Sequence, residues 1–196
     1  MLKFYHSPSS CSEGIMFLLK EVGAEFDTEI VNVRAGEQHA DSYLSQNPKA
    51  KVPALQTDDG QVLTEFQAIA FWIAQTYPDA GLWPEKTVDQ ARVLEALDYL
   101  VASVHMRGFT FVIVPQKFST DEAVQETLHA YGRSEVDKAL RILSGMMGQN
   151  DYLLGGFSLA DAALLYILNW AGFVGIDVPA NLAACHDRLR ARHPEA

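Results

Sequence analysis

The chain has 196 residues, with 15 Lys+Arg against 25 Asp+Glu and a formal charge of −10. That acidity repels nucleic-acid phosphates and anionic membrane surfaces, so neither is expected as a partner. With 48% hydrophobic residues and only two cysteines, the composition excludes a disordered chain, a disulfide scaffold and an all-cysteine zinc site.

In chain order, Leu2-Lys3-Phe4-Tyr5 reads as a short strand, stopped by Ser7-Pro8-Ser9-Ser10. A helix follows from Cys11 or Ser12, with Ile15, Leu18, Leu19 and Val22 at helical spacing and Gly23 as its stop. Residues 26–33 alternate as a second strand, which makes a βαβ unit. Residues 37–46 predict a short helix ended by Asn47-Pro48. Val52-Pro53-Ala54-Leu55 and Val62-Leu63-Thr64 flank the turn Asp58-Asp59-Gly60 and predict a hairpin. Residues 66–77 predict another helix. Residues 1–77 therefore read β-α-β-α-β-β-α, an α/β domain.

The pattern then changes. Residues 78–85 hold two prolines and a glycine and read as a linker. Residues 86–196 predict an all-helical domain. A long helix runs from Thr87 towards Phe111, and Ser119 or Thr120 caps another that runs towards Asn150. Ser158-Leu159-Ala160-Asp161 has capping-box spacing before an apolar helix, and residues 181–192 form a last amphipathic one. The apolar stretch 162–176 falls short of the ~20 residues that cross a bilayer and reads as a buried helix. The N-terminus has neither a long apolar run nor a small-residue cleavage site, so no signal peptide is expected. The expected location is the cytoplasm, with both thiols free.

Cys11 is the sharpest chemical feature. A thiol where a strand turns into a helix faces backbone N–H groups and the positive end of the helix dipole, which favour thiolate. Glu13 opposes this, and a small core cysteine is the alternative. Ser9, Ser10 and Ser12 offer hydroxyls to a sulfur anion or cap the helix. Val52-Pro53 reads as an ordinary trans bond unless context says otherwise. Thr64-Glu65-Phe66 opens a helix, as a plain cap or as a carboxylate site. His105 is a candidate acid, base or donor, or a satisfied helical histidine. Trp170 reads as core. No His/Cys/Asp/Glu cluster has metal-ligand spacing, so no metal is expected.

Taken together, Phe4-Tyr5…Cys11-Ser12, Asn47-Pro48…Lys51-Val52-Pro53-Ala54-Leu55, Leu63-Thr64-Glu65…Ala68-Ile69 and Ser158-Leu159-Ala160-Asp161 resemble the cytosolic glutathione transferases over essentially the whole chain. The resemblance implies a thioredoxin-like domain followed by a helical domain. It also implies glutathione as co-substrate, a hydrophobic electrophile, no metal and a homodimer. Within the family the chain looks most like the bacterial beta class. There the residue matching Cys11 lies beside the glutathione sulfur and can form a mixed disulfide, and a histidine matching His105 lies nearby. Ser9-Ser10-Cys11-Ser12 also resembles the zeta class, the maleylacetoacetate isomerases, with Ser10 as thiol activator.

On this basis Val52 pairs its backbone with glutathione and Pro53 is the family's cis proline. Glu65 and Phe66 hold the γ-glutamyl end, and Arg34 and Lys51 add contacts. Ser10 and Ser12 donate to sulfur, and Cys11 and His105 complete the chemistry. Phe109, Phe111 and Trp170 form the electrophile wall, and Cys185 is a bystander. One departure stands out: Phe66 occupies a position where the family usually has serine. The ring is expected to crowd the γ-glutamyl pocket, which leaves open a binding or regulatory protein without turnover, beside a glutathione-dependent isomerase.

Overall fold

The computed structural model describes residues 1–194. The chain divides into two compact units, Met1–Trp83 with the tail from Arg192, and Pro84–Ala191.

The first unit is a four-stranded sheet in the order β2-β1-β3-β4, formed by β1 (Leu2–His6), β2 (Phe26–Ile30), β3 (Ala54–Gln56) and β4 (Val62–Thr64). β1 runs parallel to β2 and antiparallel to β3, and β3 and β4 form the expected hairpin. Alternation along β1 sends successive side chains to opposite faces. Both Phe4 and Tyr5 are buried, so the central strand is covered on both sides. Tyr5 packs with Val31, Tyr43 and Ala54. β2 lies at the sheet edge and ends at Ile30, three residues earlier than the alternation predicts. Its later side chains are exposed, so alternation there reports an edge rather than a buried face.

Helix α1 (Ser12–Glu21) buries Ile15, Phe17, Leu18 and Leu19, and α3 (Phe66–Thr76) buries Ile69, Ala70 and Ile73. Full burial of each such side chain is worth about 1.5–3 kcal/mol, so these two stripes account for much of the unit's cohesion. The helix expected over residues 37–46 is divided. A 3-10 turn (Glu37–His39) and α2 (Asp41–Leu44) are separated by Ala40, whose backbone is extended. In the segment read as a linker, Pro78–Ala80 forms a 3-10 turn and Leu82 is buried. The tail returns to the first unit: Arg192 and His193 both pair with Glu21, and the His193 ring meets Phe17 edge-on.

The second unit is helical: α4 (Thr87–Asp98), a π-helix (Tyr99–Phe109), α5 (Thr110–Ile113), α6 (Glu122–Met147), α7 (Leu159–Phe173) and α8 (Ala180–Arg192). The first three run on from one another as the single long helix the sequence predicts, with a π-helical middle that periodicity does not reveal. Gly108 and Gly132 let this helix and α6 approach closely. A Cβ at Gly108 would meet Val136 Cγ2 at 2.8 Å, and one at Gly132 would meet the Gly108 carbonyl oxygen at 2.7 Å. Asp121, rather than Ser119 or Thr120, caps α6, its carboxylate accepting from Ala123 N–H and Val124 N–H. The capping box is present: Asp161 accepts from Ser158 N–H at 2.9 Å and from Leu153 N–H at 2.9 Å. Most of α7 is buried, as its all-round apolar sequence requires.

Candidate functional site

Four segments of the first unit are joined by hydrogen bonds. The β1–α1 loop ends at Cys11, whose Sγ donates to the Val52 carbonyl at 3.6 Å. The Val52–Pro53 bond is cis, as the family resemblance implies. Tyr43 O–H and Asn47 Nδ2–H both donate to the Lys51 carbonyl, at 2.5 and 2.7 Å, and fix the residue before Val52. Lys49 Nζ reaches Thr64 Oγ1 at 2.9 Å and Glu65 Oε1 at 2.7 Å, joining this segment to the start of α3.

Backbone strain marks the same places. Among the described residues, Ser9, Ala50 and Glu65 are the non-glycine residues with positive φ, at 61°, 53° and 72°. Each lies within two residues of Cys11, Val52 or Phe66. Such conformations cost about 1–3 kcal/mol and persist where the surroundings over-determine them, commonly at functional sites.

The expectation that the helix N-terminus makes Cys11 a thiolate is corrected. Loss of hydration pushes its thiol up to about 12, with Glu65 and Glu13 adding to the rise and backbone and Lys51 effects opposing it. Loss of hydration outweighs the backbone and Lys51 effects, and a protonated thiol is the form that donates to Val52. Ser12 is corrected too. It is fully buried, and its hydroxyl contacts His6 Nδ1, Ser7 N–H, Ser10 Oγ and the Ser7 carbonyl, so it is occupied by the protein itself. Ser10 is half-buried beside Cys11.

Phe66 does not crowd a pocket. Its side chain is buried with the apolar face of α3, only 4% exposed. The first turn of α3 therefore meets solvent with backbone and Glu65, not with a ring. Arg34 and Lys51 are exposed. Sequence reasoning missed Lys49, Tyr43 and Asn47. For Asn47 a signal was present, because an Asn before Pro favours side chain-to-backbone bonds, and its Oδ1 accepts from Lys49 N–H at 3.1 Å.

In the second unit, His105 sits in the π-helix. Its ring meets Trp170 edge-on at 4.7 Å and Tyr166 at 5.8 Å, with the Tyr166 hydroxyl 3.4 Å from Nδ1. Phe109 meets Trp170 at 5.7 Å but is fully buried, so it supports the cluster from within. Phe111 is not part of it. Two positions further along the helix it points away, against Phe118 and Tyr131. Of the three aromatics expected to form a wall, Phe109 and Trp170 share the cluster around His105 and Phe111 does not.

Residues 8–76 match the family model of the glutathione S-transferase N-terminal domain, and residues 101–193 that of the C-terminal domain. Glutathione S-transferase GstA of Escherichia coli O157:H7 is 31% identical, covering 99% of this chain and 94% of the relative. A maleylacetoacetate isomerase of Pseudomonas aeruginosa is 27% identical, covering 97% and 93%. Among solved structures, a beta-class glutathione S-transferase of Sphingomonas chungbukensis is 34% identical, covering 97% and 93% with a TM-score of 0.82. A sphingomonad glutathione S-transferase complexed with glutathione is 32% identical, covering 97% and 94% with a TM-score of 0.83.

Proposed function

Because the chain belongs to the glutathione S-transferase family, we propose that it binds glutathione at the Cys11, Val52 and Glu65 segments and delivers its thiolate to a hydrophobic electrophile. The observation that carries this reading is the Cys11–Val52 contact. The Val52 carbonyl accepts the cysteinyl N–H of glutathione, and the displaced Cys11 S–H turns to the incoming sulfur as a donor. Ser10 supplies a second donor. Glu65, with Phe66 N–H behind it, holds the γ-glutamyl ammonium and carboxylate, and we assign the glycine end to Arg34 and Lys51. A free thiol near pKa 8.5 is only a few per cent ionised at pH 7, so the site must lower it by about 2 units. The working unit of this reading is a cytoplasmic homodimer.

Cys11 also supports exchange. Attack on oxidised glutathione forms a Cys11–glutathione disulfide and releases one glutathione, with electrons balanced. Intact-mass analysis after oxidised glutathione, beside a conjugation assay with 1-chloro-2,4-dinitrobenzene, tests both activities. Absence of glutathione binding at millimolar concentration overturns the reading.

Glutathione-dependent cis–trans isomerisation is the second reading, favoured by the half-buried Ser10 and by the Pseudomonas aeruginosa relative. Turnover of maleylacetoacetate without conjugation would select it. The reading without turnover loses its best support, since the Phe66 ring lies in the core.

A further inference from the structure

A line of side chains connects β1 to the candidate site. His6 Nδ1 lies 2.7 Å from Ser12 Oγ, and Ser12 Oγ lies 2.7 Å from Ser10 Oγ. His6 and Ser12 are buried, at 8% and 0% exposure, while Ser10 is half-exposed next to Cys11. Two backbone donors complete the set. Ser7 N–H donates to Ser12 Oγ at 3.1 Å, and Ser12 N–H donates to Ser10 Oγ at 3.1 Å.

A hydroxyl has one proton and two lone pairs, which leaves two consistent arrangements. In the first, Ser10 donates to Ser12 and Ser12 donates to Nδ1, so the imidazole carries its proton on Nε2. Ser10 then turns a lone pair outward. In the second, Nδ1–H donates to Ser12 and Ser12 donates to Ser10. Both Ser10 lone pairs are then filled, by the Ser12 hydroxyl and the Ser12 N–H, and the Ser10 proton must point outward. The longer contact of Ser12 Oγ with the Ser7 carbonyl, 3.1 Å, is dispensable, because that carbonyl also accepts from Ser10 N–H.

We propose that His6 is a positioning residue for the thiol of bound glutathione, setting through Ser12 whether Ser10 accepts from the thiol or donates to the thiolate. This rests on the transferase reading above. The step balances. The thiol proton passes to Ser10, the Ser10 proton to Ser12 and the Ser12 proton to Nδ1. The imidazolium then yields its Nε2 proton to water. The products are a thiolate held by Ser10 O–H and a neutral ring protonated on Nδ1, with no change of oxidation state. Burial keeps His6 below the usual imidazole range, with Glu13 opposing and Lys20 adding to the effect, so the charged ring is transient at pH 7.

The test compares wild type, Ser10→Ala, His6→Leu and His6→Asn, with glutathione and S-methylglutathione as probes. The pKa of the bound thiol is read from thiolate absorbance. Both Ser10→Ala and His6→Leu are expected to raise it by about 0.5–1 unit, a three- to tenfold fall in the thiolate-to-thiol ratio, which is the size of one hydrogen bond. His6→Asn, which restores a donor near Nδ1, is expected to recover most of the loss. Affinity for S-methylglutathione, which has no thiol proton, is expected to hold in both His6 variants. Imidazole 15N shifts of the wild-type glutathione complex are expected to show His6 protonated on Nδ1, and that measurement needs no variant to fold. Failure of glutathione to bind overturns this proposal together with the transferase reading. Binding with His6 protonated on Nε2, or with wild-type thiol titration in His6→Leu or Ser10→Ala, overturns the proposal alone. So does a parallel loss of S-methylglutathione affinity in the His6 variants, or no recovery in His6→Asn.

Discussion

The thiol of Cys11 donates to the main-chain carbonyl of Val52, the residue that precedes the cis proline. The nucleophile candidate is thus stored as a neutral donor, with its proton held up to about 12. Thiolate is the reactive form towards alkylating agents, so at pH 8 Cys11 is expected to react with iodoacetamide at least about a hundredfold more slowly than an unperturbed thiol. Peptide-resolved mass spectrometry checks this separately from Cys185, which burial also pushes up to about 12. Rapid labelling of Cys11 would show that the helix dipole wins over desolvation.

Phe66 yields a prediction that separates binding from stability. Its ring fills the core under α3, so Phe66→Ser is expected to destabilise the protein by about 3 kcal/mol through cavity formation and a buried hydroxyl. Glutathione affinity is expected to change less than threefold, because the ring does not occupy the ligand side. Urea unfolding and ligand titration on the same variant decide it. A gain of tenfold or more in affinity would mean that the ring does block the pocket.

These two residues also show where the sequence was informative. The β-α-β-α-β-β-α order followed by helices was legible because period-2 and period-3.6 patterns, turn residues and the Ser158–Asp161 box all report local rules. Cys11 and Val52 were legible as positions, but not the balance between them. A helix dipole is local and can be read along the chain, whereas desolvation depends on a segment some forty residues away. Phe66 was misjudged for the same reason, since composition cannot say to which side of a helix start a ring turns. Nor could periodicity separate Phe111 from Trp170 or reveal the π-helix that carries His105. Lys49 gave no signal at all, because its partners lie fifteen and sixteen residues on.

Glu65 holds φ 72° and ψ 131°, a conformation suited to glycine, with its carboxylate on Lys49. That ion pair is half exposed and worth less than about 1 kcal/mol. Relief of strain outweighs it, so Glu65→Gly is expected to be as stable as the wild type or more stable by about 1 kcal/mol. Losing a charged partner for the γ-glutamyl ammonium is expected to weaken glutathione binding about tenfold or more. Thermal melts beside a binding titration test the opposition of the two effects. A stability loss without a binding loss would make Glu65 a structural residue only.

Asp161 couples the second unit's stability to pH. Its carboxylate is fully buried and accepts from Leu153 N–H and Ser158 N–H, yet loss of hydration outweighs these bonds and pushes it up to about 6 from an ordinary 3.8. The folded state therefore holds its proton more tightly than the unfolded state. The stabilisation from that proton is fully present below pH 4 and is lost as pH rises through about 6. Asp161→Asn cannot titrate, so the stability difference between wild type and Asp161→Asn is expected to move against the wild type from pH 4 to pH 7. Urea midpoints measured across that range give the slope directly. If the wild type instead gains on the variant as pH rises, the two N–H bonds to the carboxylate dominate over its burial, and Asp161 is ionised throughout.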